Sequence, residues 1–152
     1  MTKRIIRIAV EVLSLLVLLG TVAFLILYWK HIPDQIPAHF DGAGQIDSLS
    51  GKRSILWIPG AMLVLYVSLS LTKTMRIRSL GKEVRIHAPL ILSVMKLILL
   101  VGFSYMTICA ALVRPLGVWF MPVFLTAEFA PMVGLLIYAG KNRLFCRTRI
   151  RQ

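Results

Sequence analysis

Two groups of polar side chains in this sequence could carry chemistry. In the first group, His39 and Asp41 are two residues apart, with Asp47 and His31 nearby. Two histidines and two carboxylates could supply a tetrahedral zinc site. The spacing matches no established zinc motif, so we favour the alternative that His39 and Asp41 hydrogen-bond the local backbone and hold a turn. No metal or other cofactor is predicted.

The second group consists of three ionisable residues within apolar stretches, Glu11, Lys96 and Glu128. A charge in hydrocarbon is costly, so each should face a partner, water or the interior of a helical bundle. A buried ion pair or triad that fixes helix packing is the favoured interpretation. A proton or ion relay is the alternative, and Glu11 could instead extend toward Arg7, one turn away.

Helical spacing indicates which faces of two of these stretches point inward. At 100° per residue, Glu11, Ser14 and Thr21 share one arc. A second narrow arc, further along the chain, is formed by Ser93, Lys96, Ser104 and Thr107. We expect both arcs to face the interior of a bundle.

Charge and hydropathy together predict a membrane protein. Lys and Arg number 18 against 6 Asp and Glu, a formal net charge of +12, yet 58% of the 152 residues are hydrophobic. A soluble domain of this size could not bury so much apolar surface. A nucleic-acid-binding protein would keep an ordinary apolar content. We therefore expect a protein in contact with the lipid bilayer and not with nucleic acid.

Four apolar runs are long enough for transmembrane helices, which need about 20 residues to cross the hydrocarbon core. The predicted fold is an all-α, four-transmembrane-helix bundle made of one integral membrane domain, residues 1–152. In chain order, the expected parts are spans at about 8–29, 55–71, 88–113 and 117–139, an outer loop at 30–54, a cytoplasmic loop at 72–87 and a cytoplasmic tail at 140–152. The first run is too long for a secretory signal, so we expect an uncleaved anchor.

Basic residues predict the orientation, because Lys and Arg near span ends stay on the cytoplasmic side. Thirteen of the 18 fall in the N-terminal segment, the loop after the second span and the C-terminal tail. Trp29, Trp57 and Trp119 would then all lie at the outer interface, where indole rings settle. Both termini are therefore expected in the cytoplasm, with basic segments near anionic lipid head groups.

The sequence of the predicted outer loop indicates an ordered structure. Pro33 and Pro37 bias the residues before them toward extended backbone. Asp41, Gly42 and Gly44 then mark a tight turn in which a positive φ is tolerated. We expect a shaped loop rather than a flexible tether.

The same loop carries a pattern that resembles a known family. Its residues are Ile32-Pro33, Ile36-Pro37-Ala38-His39-Phe40, Asp41, Gly44, Asp47 and Lys52, with Ile58-Pro59 in the second span. This pattern is similar to a bacterial family of unknown-function membrane domains that forms the N-terminal half of Sdp-type toxin-immunity proteins. The resemblance implies a multi-pass protein of the bacterial plasma membrane, whose fuller relatives protect cells from a secreted peptide toxin. Those relatives have a second membrane domain, and the segment after Thr72 shows no motif that matches it.

We therefore predict a non-enzymatic membrane protein of an immunity-like or sensing and accessory type. Its outer loop would recognise a peptide toxin or a membrane partner protein. The candidate ligand-binding residues are Pro37, His39, Phe40, Asp41, Gly44 and Asp47. No nucleophile elbow, P-loop, HExxH or CxxC motif indicates an enzyme. The alternative is a small transporter or ion-coupled protein using Glu11, Lys96 and Glu128, which with four spans would need to form a homo-oligomer or pair with a partner.

Overall fold

The computed structural model describes residues 2–72 and 82–149, and most of them are helical. In chain order, the elements are α1 (Thr2–Tyr28), a 3-10 turn (Trp29–His31), β1 (Gln35–Phe40), β2 (Ile46–Gly51), a second 3-10 turn (Lys52–Leu56), α2 (Trp57–Thr72), α3 (Lys82–Ala111) and α4 (Phe120–Arg149). The two strands pair antiparallel and form a hairpin. The hairpin lies within the predicted outer loop, for which the sequence analysis predicts order but no strands.

Three helical stretches are long and apolar enough to cross a membrane, namely Arg4–His31, Lys52–Leu71 and Pro89–Ala111. A shorter apolar stretch, Phe120–Gly134, lies in α4. The described part of the chain is thus mostly helical, with three helices that are long and apolar enough to span a membrane, and a bundle of four spans stays a prediction. The predicted loop at 72–87 overlaps residues 73–81, which lie outside the described residues, and α3 already begins at Lys82.

Helix α3 is the centre of the bundle. It packs against α1, α2 and α4, and α1 also contacts α2. Within the described part of the chain, α4 has extensive contact with α3 alone. The arrangement therefore gives α3 two different faces, one toward α1 and α2 and the other toward α4.

The inward face of α1 repeats every seven residues. Ser14, Leu18, Thr21 and Leu25 are all buried, at alternating spacings of four and three. This spacing keeps one seam of the helix against its neighbours. On α3, Ser93, Lys96 and Thr107 are buried in the same way. The prediction that both polar arcs point inward is confirmed for these residues.

The hairpin is anchored to one end of the bundle by apolar side chains. Ile32, just before β1, and Ile36, in β1, are both buried. They pack in one cluster with Leu25 of α1, Ile55 of the second 3-10 turn, and Ala110 and Ala111 at the end of α3. Burial of a side chain as large as isoleucine contributes roughly 1.5–3 kcal/mol. The hairpin is therefore part of the packed structure rather than a separate appendage.

Candidate functional site

The turn of the hairpin is built around Asp41. Its Oδ1 accepts hydrogen bonds from the backbone N–H groups of Ala43 and Gln45, at 2.9 and 2.8 Å. Its backbone oxygen accepts a further bond from the N–H of Gly44 at 2.9 Å. An aspartate that bonds the backbone ahead of it is a common way to hold a turn. Asp41 therefore contacts the turn itself, which limits its availability to a ligand.

The tip of the hairpin is attached to the loop between α3 and α4, residues 112–119. The backbone oxygen of Gly44 accepts a hydrogen bond of 2.8 Å from the N–H of Leu116. Gly44 has φ +74, and a Cβ atom at this position would lie 2.7 Å from the backbone oxygen of Gly117. Both the left-handed backbone and the close approach therefore require glycine here.

A second hydrogen bond holds the same loop to α3. The hydroxyl of Tyr105 donates to the backbone oxygen of Leu116 at 3.1 Å. The peptide groups of Leu116 thus join three parts of the molecule, α3, the α3–α4 loop and the hairpin tip. Leu116 was not singled out from the sequence, because an apolar side chain does not indicate which groups the backbone N–H and C=O of the same residue hydrogen-bond.

His39 and Asp47 form an exposed polar pair on the hairpin. The Nδ1 atom of His39 lies 2.7 and 2.8 Å from the two carboxylate oxygens of Asp47. Their side chains are 69% and 45% exposed. The strand register shifts on both sides of His39, which brings Asp47 beside it instead of directly across from it. The pair presents an oriented imidazole and a carboxylate on the surface.

The remaining predicted ligand-binding residues point inward. Pro37 is buried, and Phe40 is partly buried against the apolar cluster that anchors the hairpin. His31, which the sequence analysis considered as a metal ligand, stacks on Tyr28 at 5.1 Å between ring centroids. Within residues 2–72 and 82–149, no group of three or more His, Cys, Asp or Glu side chains is arranged to hold a metal ion. The accessible part of the candidate site is therefore His39 with Asp47.

A separate polar cluster lies inside the bundle. The Nζ atom of the fully buried Lys96 donates hydrogen bonds to the Glu11 carboxylate and, at 2.9 Å, to the hydroxyl of Ser70. The hydroxyl of Ser93 lies 2.7 Å from the second oxygen of Glu11. The ammonium group also lies 4.1 Å from the ring centroid of Tyr66, a distance suited to a cation–π contact. This cluster connects α1, α2 and α3.

Glu128 lies outside that cluster. It is 8% exposed, and its Oε2 atom has no hydrogen-bond partner among the described residues. Phe124 lies on α4, one turn before Glu128, and contacts Gly102 of α3. At 100° per residue, Gly102 lies about 120° around α3 from Lys96. Glu11 on α1 and Glu128 on α4 therefore lie toward different faces of α3. The structure brings Glu11 and Lys96 together without Glu128.

Two residues of the polar cluster, Ser70 and Tyr66, were not singled out from the sequence. They lie on α2, which is apolar on all sides, so its helical spacing gives little indication of an inward face. The available signal was the position of Ser70 near the cytoplasmic end of the second predicted span, where Glu11 and Lys96 were also expected.

The fold and the site together describe a helical, membrane-type protein with a β-hairpin packed on one end of its helices. Residues 15–63 match a family described as "Domain of unknown function (DUF1648)". The matched segment contains the second half of α1, the whole hairpin and the start of α2, so it supports a relationship to an unknown-function domain family. No curated protein and no solved structure matches the chain.

Proposed function

We propose that this protein is a non-enzymatic, four-span protein of the bacterial plasma membrane, of an immunity-like or sensing type, whose hairpin recognises a ligand outside the cell. The observation that carries the proposal is the exposed His39–Asp47 pair on a hairpin that is fixed at both its base and its tip. A binding group held in one geometry loses less conformational entropy when a ligand binds.

The proposed orientation is supported by charge and by aromatic residues. Thirteen of 18 basic residues lie in segments assigned to the cytoplasm. Trp57 and Trp119 are exposed and lie at the hairpin end of α2 and α4, which fits the outer interface of a bilayer. Lys52 of the second 3-10 turn lies 4.9 Å from the ring centroid of Trp29.

A phosphatase fusion after Gly44 should be active and one after Gly81 inactive, and the reverse pattern would refute this orientation.

The ligand we propose is a peptide toxin or a membrane partner protein. The support is the resemblance of the loop motif to the N-terminal domains of Sdp-type immunity proteins. An imidazole and a carboxylate can together bind a peptide through hydrogen bonds and charge. The basic cytoplasmic segments would contact anionic lipids in the same orientation.

The experiment is a toxin challenge of cells that express the chain or its variants. The variants Asp47→Asn and His39→Ala should lose resistance while protein abundance in the membrane is unchanged. Asp34→Asn is the matched control, because this exposed aspartate lies just before β1 and outside the pair. Full resistance in both hairpin variants would exclude the pair as the recognition element.

A second comparison tests whether the fixed hairpin tip matters. Gly44→Ala would force a Cβ atom against Gly117, whereas Gly42→Ala adds one in open space. We expect only Gly44→Ala to weaken resistance. Equal resistance in the two variants would show that recognition does not need the attachment to the α3–α4 loop.

The transporter alternative is less well supported by the geometry. Lys96 and Glu11 hydrogen-bond each other and residues on neighbouring helices, which favours a packing role for this ion pair. Uptake of ions by proteoliposomes that is retained in Asp47→Asn but abolished in Lys96→Met, with equal amounts of folded protein of both variants in the membrane, would instead favour transport. With four spans, such transport would need a homo-oligomer or a partner.

A further inference from the structure

A long groove runs between α3 and α4 at the hairpin end of the bundle. Its volume is about 740 Å³, within the range of roughly 300–1,000 Å³ that is usual for ligand sites. None of the described residues that line it has an acidic or basic side chain other than the phenol of a tyrosine. Its one phenol, Tyr105, already donates to the backbone oxygen of Leu116. The chemistry of the groove therefore suits a hydrocarbon chain.

The shape of the groove depends on aromatic rings and one glycine. Tyr105, Phe120 and Phe124 stack in sequence, with 5.0 and 5.5 Å between ring centroids. Phe124 lies directly over Gly102, where a Cβ atom would be 2.2 Å from the ring. The three stacked rings therefore form one wall of the groove.

The groove opens sideways, onto the surface that a bilayer would cover. Val101 and Val123 line it and are themselves exposed. Val101 lies in the membrane-length apolar stretch Pro89–Ala111 of α3, and Val123 lies in the shorter apolar stretch Phe120–Gly134 of α4. In the proposed membrane orientation, the molecules that can enter from this side are lipids.

Residue types that bind a lipid head group occur in the α3–α4 loop, which contributes Leu116, Gly117, Val118 and Trp119 to the groove. The exposed Trp119 is one of the lining residues, and exposed Arg114 is near them in sequence, two residues before the buried lining residue Leu116. Guanidinium groups bind phosphate strongly, and tryptophan settles at head-group level. This charge complementarity distinguishes a phospholipid from a second copy of the protein or an uncharged hydrocarbon.

We propose that the α3–α4 groove binds one acyl chain of an anionic phospholipid of the outer leaflet, with its phosphate at Arg114. The inference rests on the membrane orientation of the proposed function but not on the ligand of the hairpin. Leu116 lines the groove and also donates to Gly44, so a bound chain would contact the attachment point of the hairpin tip.

The test uses the full chain in nanodiscs with a phosphatidylglycerol that carries a photoreactive group in its acyl chain. Cross-linked residues are mapped by mass spectrometry. We expect saturable labelling of α3 and α4 at the groove. Val101→Phe, and independently Val123→Phe, should reduce it at least fivefold, a loss of about 1 kcal/mol. Val64→Phe is the control, because Val64 is similarly exposed on α2, 64% against 49% for Val101, and lies away from the groove.

Binding of the lipid phosphate by Arg114 is tested separately. Arg114→Gln should lower labelling by the phosphatidylglycerol probe about fivefold, which corresponds to about 1 kcal/mol per basic residue. Arg53→Gln, another exposed arginine at the hairpin end, should not lower it. A zwitterionic phosphatidylcholine probe with the same photoreactive acyl chain should label the groove more weakly than the anionic phosphatidylglycerol probe.

Three results would overturn the proposal. One is labelling spread evenly over the apolar surface and equal in the Val101, Val123 and Val64 variants. Another is labelling by the two probes that is equal and independent of Arg114. The third is a dimer whose interface shields the groove from the probe. None of these results affects the toxin challenge, so failure here is distinguishable from failure of the proposed function.

Discussion

The two faces of α3 hold their neighbours by different kinds of contact. Toward α1 and α2, an apolar cluster of Leu18, Met62 and Leu100 is joined by polar contacts. Lys96 donates hydrogen bonds to Glu11 and Ser70, and Ser93 donates one to Glu11. Toward α4, the contacts are aromatic, with Phe124 lying over Gly102. The buried Glu128 on that side has an oxygen without a hydrogen-bond partner in the described structure.

This difference has consequences for a protein in lipid. Helices in a bilayer gain little from hydrophobic burial against each other, so close packing and hydrogen bonds must hold them together. The polar face has both kinds of contact, whereas the face toward α4 shows packing alone among the side chains that the structure describes. We infer that α1, α2 and α3 form the firmly held unit and that α4 is the helix most easily displaced.

The largest expected effect comes from removing the cation of the polar face. Lys96→Met would leave the Glu11 carboxylate without its buried partner, which typically costs about 3–5 kcal/mol. Thermal unfolding in detergent micelles measures the loss. Lys30→Met is the control, because Lys30 is exposed in the first 3-10 turn.

The double variant Glu11→Leu with Lys96→Met sharpens this result. Replacing a whole buried ion pair by apolar groups is often neutral. We therefore expect it to recover most of the stability lost in the single variant. A double variant as unstable as Lys96→Met would show that the ion pair does more than compensate a charge.

A smaller effect is expected at the contact between α3 and α4. Gly102→Ala places a methyl group inside the ring of Phe124, and overpacking of this kind costs about 1–3 kcal/mol. In contrast, Gly20→Ala on α1 meets open space and should raise helix stability by up to about 1 kcal/mol. Unfolding of the two variants in the same micelles gives the comparison. Similar stabilities would mean that α4 does not pack against α3 as described.

At Glu128, the expected change has the opposite sign. An unsatisfied buried polar group costs about 1–3 kcal/mol, so Glu128→Leu should stabilise the protein, by about 1 kcal/mol after imperfect packing. Glu11→Leu, the matched change on the polar face, should destabilise it because the buried ammonium group of Lys96 loses the Glu11 carboxylate. Destabilisation by Glu128→Leu would contradict the difference between the two faces. Stabilisation with loss of toxin resistance would mean that the acid serves the function.

The polar face was largely predictable from the sequence, and the other face was not. Serine, threonine and lysine are conspicuous in apolar helices, and their 100° spacing identifies one inward arc, as at Ser14, Thr21, Ser93 and Lys96. The contact of Gly102 with Phe124 has no such signal, because small and aromatic residues occur on every side of α3 and α4. Which of them meet depends on the rotation of one helix against the other, a tertiary property.

The hairpin was likewise predictable from the sequence only in part. Its prolines and its Asp-Gly turn predicted an extended, ordered loop, and the polar turn at Asp41 follows from local chemistry. The strand register does not, because it depends on where Ile36 finds a buried site against α1 and α3. The pairing of His39 with Asp47 instead of with the backbone is a consequence of that register.

The smallest predicted effect tests whether the polar face extends beyond Lys96. The hydroxyl of Thr21 lies 2.8 Å from that of Ser104 on α3 and 2.8 Å from the backbone oxygen of Val17. Thr126 on α4 is a natural control, because its hydroxyl donates to the backbone oxygen of Pro122 in the same way but is exposed. Thr21→Val should therefore cost about 0.6 kcal/mol more than Thr126→Val, the average value of an interhelical hydrogen bond in a membrane. Equal unfolding temperatures would mean that α1 and α3 are joined by the Lys96 cluster and by packing alone, with no contribution from this hydroxyl pair.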